Sequence, residues 1–193
     1  MTLPSEFDER YFPLSRNFIN ECLSRFIADH LKKDDVVCDI GNQGKKIPML
    51  KSHKLITLDI TDKTEPDIIA DITLHNKNIA DNYFDALLCT EVLEHVVDPF
   101  AAIREVRRIV KVGGFIFFST PLNARIHGPV PDCWRFTEFG LKVMLRDFEM
   151  IKFMKFNTPG RNLFPLQYCA IVRKNKADLT ESDPRNMILH RVD

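Results

Sequence analysis

The stretch from Phe84 to Pro121 constrains the fold more than any other part of the chain. FDALLCT (Phe84 to Thr90) is an almost unbroken apolar run, and after DPFAAIREVRRIVKVGG a second one, GFIFFST (Gly114 to Thr120), is stopped by Pro121. A strand with no polar alternation has both faces covered, which is the condition of a parallel strand inside a sheet. Parallel neighbours need a crossover, and the segment between the two runs is built as one: Asp98 stands at the N-cap, Pro99 at the first helical position, and Phe100, Ile103, Val106, Arg107 and Val110 recur at helical spacing until Gly113-Gly114.

The rest of the chain repeats this alternation. VVCDI (Val36 to Ile40), KLITLDI (Lys54 to Ile60) and DIIAD (Asp67 to Asp71) read as three earlier strands, and the stripe Phe18, Ile19, Cys22, Leu23, Phe26, Ile27, Leu31 reads as an amphipathic helix over Asn17 to Leu31 that covers the sheet. A further helix is expected over Glu138 to Asp147. EMIKFMKF and LQYCAIV follow, separated by the helix-free loop NTPGRNLFP, which makes that pair antiparallel. The tally predicts a three-layer α/β sandwich around a seven-stranded, mostly parallel sheet with an antiparallel last strand. With 193 residues, 45% of them hydrophobic, one domain over 1–193 is expected, with residues 1–33 as a helical segment over the sheet and 174–193 as a polar tail.

Composition narrows the partners. Lys plus Arg (27) equals Asp plus Glu (27), so the chain has no field with which to hold a polyanion, and a nucleic-acid partner is not expected. No run approaches the roughly 18 apolar residues of a membrane span, and MTLPSEFDER lacks the features of a signal peptide, so a cytoplasmic protein is expected. Cys22, Cys38, Cys89 and Cys169 sit in apolar runs as small hydrophobes, while Cys133 falls in a loop. No CxxC or other metal-ligand spacing is present, and no metal is expected.

Ligands of open parallel sheets bind beyond the carboxyl ends of the strands. There the first strand ends in Asp39-Ile40-Gly41-Asn42-Gln43-Gly44, whose glycines permit a tight turn and close approach of backbone to a ligand. The second strand brings Asp59, about 20 residues on, where an acid can accept hydrogen bonds from both hydroxyls of a ribose. The third brings Asp71 and Ile72, able to meet an exocyclic amine and a purine face. A nucleoside site follows from this spacing. The GxGxxG of a dinucleotide enzyme and the Tyr-x-x-x-Lys pair of a nucleotide-sugar oxidoreductase are missing, so pyrophosphate binding is disfavoured.

At the fourth strand the sequence runs Thr90-Glu91-Val92-Leu93-Glu94-His95. Together with the helix and VKVGGFIFFSTP, this segment resembles the class I S-adenosylmethionine-dependent methyltransferases, and the resemblance extends over Val36 to Lys174. It implies a Rossmann-like fold, S-adenosylmethionine as cofactor, Asp39, Gly41 and Gly44 around its methionine part, Asp59 with Ile60 at the ribose, Asp71 with Ile72 at the adenine, and Thr90 and Glu91 beside the methionine moiety. One departure stands out: Gln43 and Lys45 occupy later glycine positions of the family's turn, which bears on affinity. IHGPVPDCWRFTEFGL is similar to a narrower branch in which His-Gly and Asp-x-Trp-Arg-Phe-Thr follow the fifth strand, and this implies a small-molecule or saccharide-type acceptor. His127 is then the first candidate for the base that takes the acceptor's proton and His95 the second, with Asp132, Trp134 and Arg135 as acceptor-binding residues. The same residues also admit a structural reading: Trp134 and Phe136 as core anchors, Arg135 as an internal ion-pair partner, Thr137 as an N-cap, His95 as the lock of its turn. A non-catalytic module that senses S-adenosylmethionine or supports a partner enzyme is the alternative function. The oligomeric state is not legible.

Overall fold

The computed structural model describes residues 4–41, 47–128, 131–161 and 163–175. Among these residues seven strands form one sheet in the order β3-β2-β1-β4-β5-β7-β6: β1 (Val36–Ile40), β2 (Lys54–Asp59), β3 (Ile68–Ile69), β4 (Phe84–Thr90), β5 (Val110–Pro121), β6 (Glu149–Asn157) and β7 (Pro165–Arg173). β1 to β5 pair in parallel, and β7 enters antiparallel between β5 and β6. The expected Rossmann-like sheet with its antiparallel last strand is therefore present.

Period-two alternation sends side chains of the central strands to opposite faces. Val37, Ala86, Leu88 and Phe117 pack under α1 (Glu6–His30), against Ile19, Leu23, Phe26 and Ile27. Cys38, Leu87, Cys89, Ile116 and Phe118 face the other way, onto α2 (Pro99–Ile109) and α3 (Glu138–Met144). These are the three layers. Cys22, Cys38, Cys89 and Cys169 are buried and Cys133 is exposed, as their surroundings in the sequence suggest.

Several boundaries differ from the sequence reading, each for a local reason. α1 begins eleven residues before Asn17, because Ser5 and Asp8 form a capping box; every buried residue of the helix lies at Ile19 or later, so the early turns carry no apolar stripe. α2 ends at Ile109 and β5 starts at Val110. Gly113 and Gly114 lie within the strand, beside a register shift against β4, and a side chain on Gly114 would meet the Asp85 carbonyl at 2.7 Å. β3 shrinks to two residues, β2 stops at Asp59, and α3 stops three residues short of Asp147. Between β1 and β4 the described connections carry single 3-10 turns (Pro48–Leu50 and Asp62–Thr64) and no α-helix. No helix among the described residues is long and apolar enough to cross a membrane.

Candidate active site

The carboxyl ends of β1, β2, β3 and β4 lie side by side because those strands run parallel in register. A cavity of about 360 Å³ opens there, lined by Gly41, Asp59, Ile60, Asp71, Ile72 and Glu91 among others. Gly41 has φ 68 and donates its N–H to the Leu58 carbonyl at 2.8 Å. A Cβ there would stand 2.8 Å from Val92 Cγ2, so the turn needs glycine both for its left-handed backbone and for space. Asp59, 8% exposed, accepts from the Thr61 N–H (3.2 Å) and the Thr64 hydroxyl (3.3 Å). Asp71 Oδ1 accepts from the N–H (2.8 Å) and hydroxyl (2.7 Å) of Thr73. Each carboxylate thus fixes its own turn with part of its acceptor capacity and retains lone pairs for a hydroxyl or amine. Ile60 is exposed at the rim while Ile72 is buried in the wall. Asp39 lies beneath the turn, where burial pushes its carboxyl up to about 7. Gly44, with Gln43 and Lys45, lies outside the described residues. Thr90 ends β4 opposite Ser119 and lines neither this cavity nor the next.

Glu91 is the junction. Its backbone is left-handed (φ 56), an uncommon state for a residue with a side chain, and its carboxylate accepts from the Ser119 hydroxyl (2.8 Å) and Gln167 Nε2 (2.6 Å). Burial pushes the Glu91 carboxyl up; the bond from Ser119 and the charge of Arg16 pull it back. Gln167 in turn accepts from the Ser15 hydroxyl at 3.1 Å, tying α1 to β7 and to the end of β4. Glu91 also lines a second, larger cavity of about 480 Å³, walled by Phe7, Tyr11, Phe12 and Arg16 of α1, by His127 and by Leu166. Arg16, Ser119 and Gln167 escaped the sequence reading. The signal for two of them was present: each is a polar residue inside an apolar strand, FIFFST or LQYCAIV.

Residues 122–128 and 131–137 lie between β5 and α3. Their fastener is Asp132, whose side chain is fully buried and accepts Arg135 Nη1 at 2.5 Å and Nη2 at 2.7 Å, plus the His127 N–H at 2.9 Å. Arg135 beside it holds the Asp132 carboxyl down at about 2. The same guanidinium donates to the carbonyls of Ala124, Arg125 and Trp134. Trp134 donates its indole N–H to the Val96 carbonyl at 2.9 Å and stacks on Phe136, and Thr137 caps α3. Asp132, Trp134 and Arg135, expected to bind the acceptor, line neither cavity. They shape the loop that carries His127.

His127 lines the larger cavity and His95 the smaller, and their rings meet edge to face with centroids 5.0 Å apart. His95 Nδ1 lies 3.0 Å from the Pro131 carbonyl and His127 Nδ1 lies 3.1 Å from that of Arg125. A carbonyl can only accept, so each Nδ1 carries a proton, and in the neutral ring it is Nε2 that holds the lone pair. Beside them, Glu94 is fully buried and burial pushes its carboxyl up.

Comparison with known proteins agrees with this geometry. Residues 48–118 match the family described as "Methyltransferase domain". A ubiquinone biosynthesis O-methyltransferase of Nitrosomonas europaea is 38% identical over 78 residues, covering 38% of this chain and 31% of that protein. The matched stretch spans less than a third of the curated relatives' length. Among solved structures, a SAM-dependent methyltransferase of Methanosarcina mazei superposes with TM-score 0.59 at 20% identity, covering 78% of this chain and 97% of that one. The N-methyltransferase NodS of Bradyrhizobium japonicum, in complex with S-adenosyl-l-homocysteine, superposes with TM-score 0.62 at 15% identity over 84% and 88%. The fold is that of the Rossmann-like methyltransferases. The match to the methyltransferase family itself is confined to residues 48–118.

Proposed function

We propose that this protein transfers a methyl group from S-adenosylmethionine, held in the smaller cavity, to a hydroxyl of a small molecule held in the larger one. The observation that carries this reading is the meeting of the two cavities at a single residue, Glu91, with His95 on one side and His127 on the other. S-adenosylmethionine supplies an electrophilic methyl on a positively charged sulfur. Gly41 admits backbone close to the ligand, Asp59 accepts from the ribose hydroxyls, and Asp71 takes the exocyclic amine while Ile60 and Ile72 flank the purine. Glu91 serves the methionine end, with Asp39 beneath the Gly41 turn and Thr90 behind Glu91 at the end of β4. Methyl transfer is an in-line displacement, so alignment and exclusion of water are the main contributions of the walls.

On the acceptor side, Phe7, Tyr11 and Phe12 offer ring faces, while Arg16 and His127 mark polar positions. This lining suits a small molecule with an apolar or ring-bearing body and a polar edge. A saccharide-type acceptor is the narrower variant, supported by the IHG and DCWRFT segments. The name of the Nitrosomonas relative points the same way, toward transfer to oxygen. The Nε2 lone pair of His127 takes the proton of the reacting hydroxyl, with His95 behind it, and Asp132, Trp134 and Arg135 position that loop.

Calorimetry tests the reading. S-adenosylmethionine and its demethylated product should both bind, and NAD much more weakly. No heat from either sulfur nucleoside at up to about a millimolar, near −4 kcal/mol of binding, removes it. Saturable binding without methyl transfer to any compound of cell extracts would return the alternative, a non-catalytic binding module.

A further inference from the structure

Glu94 poses a problem of its own. Its side chain is fully buried, and among the described residues neither carboxylate oxygen has a hydrogen-bond partner. Leaving such a group unsatisfied is costly, and a bound ion is one of the features that accounts for it. His95 Nε2 stands 3.8 Å from Glu94 Oε1. One donor atom from each of Glu94, His95 and His127 falls within 4.8 Å of the others. In the neutral rings the tautomers set by the Pro131 and Arg125 carbonyls leave the lone pair on Nε2, the form in which imidazole binds a metal.

We propose that Glu94, His95 and His127 form a binding site for a divalent first-row transition ion, with zinc the best match, at the junction of the two cavities. Two imidazole nitrogens and one carboxylate oxygen are a zinc donor set that keeps a coordination position open. Magnesium and calcium prefer six or more oxygens and fit poorly. Bond lengths of about 2.1 Å put tetrahedral donors about 3.4 Å apart. The 3.8 Å pair needs only a small contraction, and both histidines retain some exposure, 13% and 25%, with which to turn. Asp132 completes the arrangement. Its Oδ2 lies 3.3 Å from His127 Nδ1, the carboxylate contact that orients a metal-binding histidine and strengthens it as a donor.

The ion's role, though not the site's existence, rests on the methyltransferase reading. With both Nε2 lone pairs given to the ion, no histidine is left to act as base. A hydroxyl oxygen touching the open position loses its proton to a water molecule near neutral pH, because the ion stabilises the negative oxygen. That oxygen then forms the new O–C bond as the S–C bond breaks, and the sulfur keeps the electron pair as a neutral thioether.

The test is metal binding by the full chain after dialysis against a chelator. Calorimetry with zinc chloride at pH 7 should show one ion per chain, and cobalt(II) should give the visible spectrum of a tetrahedral nitrogen and oxygen site. Glu94→Gln and His127→Ala should each weaken zinc by tenfold or more, with His75→Ala, an exposed histidine elsewhere, unchanged. S-adenosylmethionine titrations on the same preparations report whether each variant is folded. Because His127 is on a loop, its variant carries the test if Glu94→Gln fails to fold. No zinc binding by the parent at up to about a millimolar, or equal binding by His127→Ala, overturns the site. Either result leaves the methyltransferase reading to be judged by the cofactor titration alone.

Discussion

The two cavities are built in opposite ways. Around the smaller one each acid is fixed by residues two to five positions away, Asp59 by Thr61 and Thr64, Asp71 by Thr73. Around the larger one the fastenings are long-range: Ser15 to Gln167 spans 152 positions and Gln167 to Glu91 spans 76. The cofactor end therefore follows from parallel strands and their turns. The acceptor end exists only once α1, β7 and the residues between β5 and α3 have come together, so the two ends should respond differently to substitution.

The strongest challenge to that contrast is Arg135→Ala. It strands the fully buried Asp132 carboxylate and should cost about 3–5 kcal/mol in chemical denaturation. Below the unfolding transition, cofactor affinity should stay within a few tenths of a kcal/mol of the parent, because Arg135 lines neither cavity. A large loss of cofactor affinity in the folded variant would show that the two ends are coupled.

Next comes proton linkage at Asp39. Its folded carboxyl sits at about 7 in place of 3.8, so the folded state binds that proton more tightly than the unfolded state does. Its stabilising contribution is full below about pH 4 and is lost as the pH rises through 7, a change of at most about 4 kcal/mol. Urea midpoints of the parent should fall relative to those of Asp39→Asn across this range. A difference that stays flat with pH removes Asp39 as the linked group.

The smallest effect is expected at Asp59. Asp59→Ala should weaken S-adenosylmethionine by about 1–3 kcal/mol, the scale of charged hydrogen bonds, with little change in melting. Early melting with normal binding by the folded fraction would make this acid a brace for the 61–64 turn and nothing more.

Legibility in the sequence follows the same division. Asp39, Gly41, Asp59 and Asp71 could be placed because strand ends are visible as the ends of apolar runs, and a parallel sheet puts those ends on one edge. Gly44 falls outside the described residues. The antiparallel β6–β7 pair was legible from its helix-free connection, but the insertion of β7 beside β5 was not, since no local pattern encodes strand order. The start of α1 was hidden because its early turns face a cavity and solvent in place of a core. Glu94 stood in plain view within LEH, yet its burial is a tertiary fact. Likewise, separations of 32 and 33 positions between His127 and the Glu94-His95 pair resemble no metal-ligand spacing, and only the fold brings the three together.

One detail of α1 bears on how molecules enter and leave. Pro13 stands inside the helix, and a proline has no N–H with which to satisfy the Glu9 carbonyl one turn back. The two halves of the helix thereby differ in what they do. Phe7 to Phe12 wall the larger cavity, and Ile19 to Ile27 are clamped on the sheet. Widening that cavity takes only fraying of a helix end, among the least costly motions a folded chain has, while the half that holds the core stays shut. Fraying of those first turns runs on a clock separate from that of global unfolding.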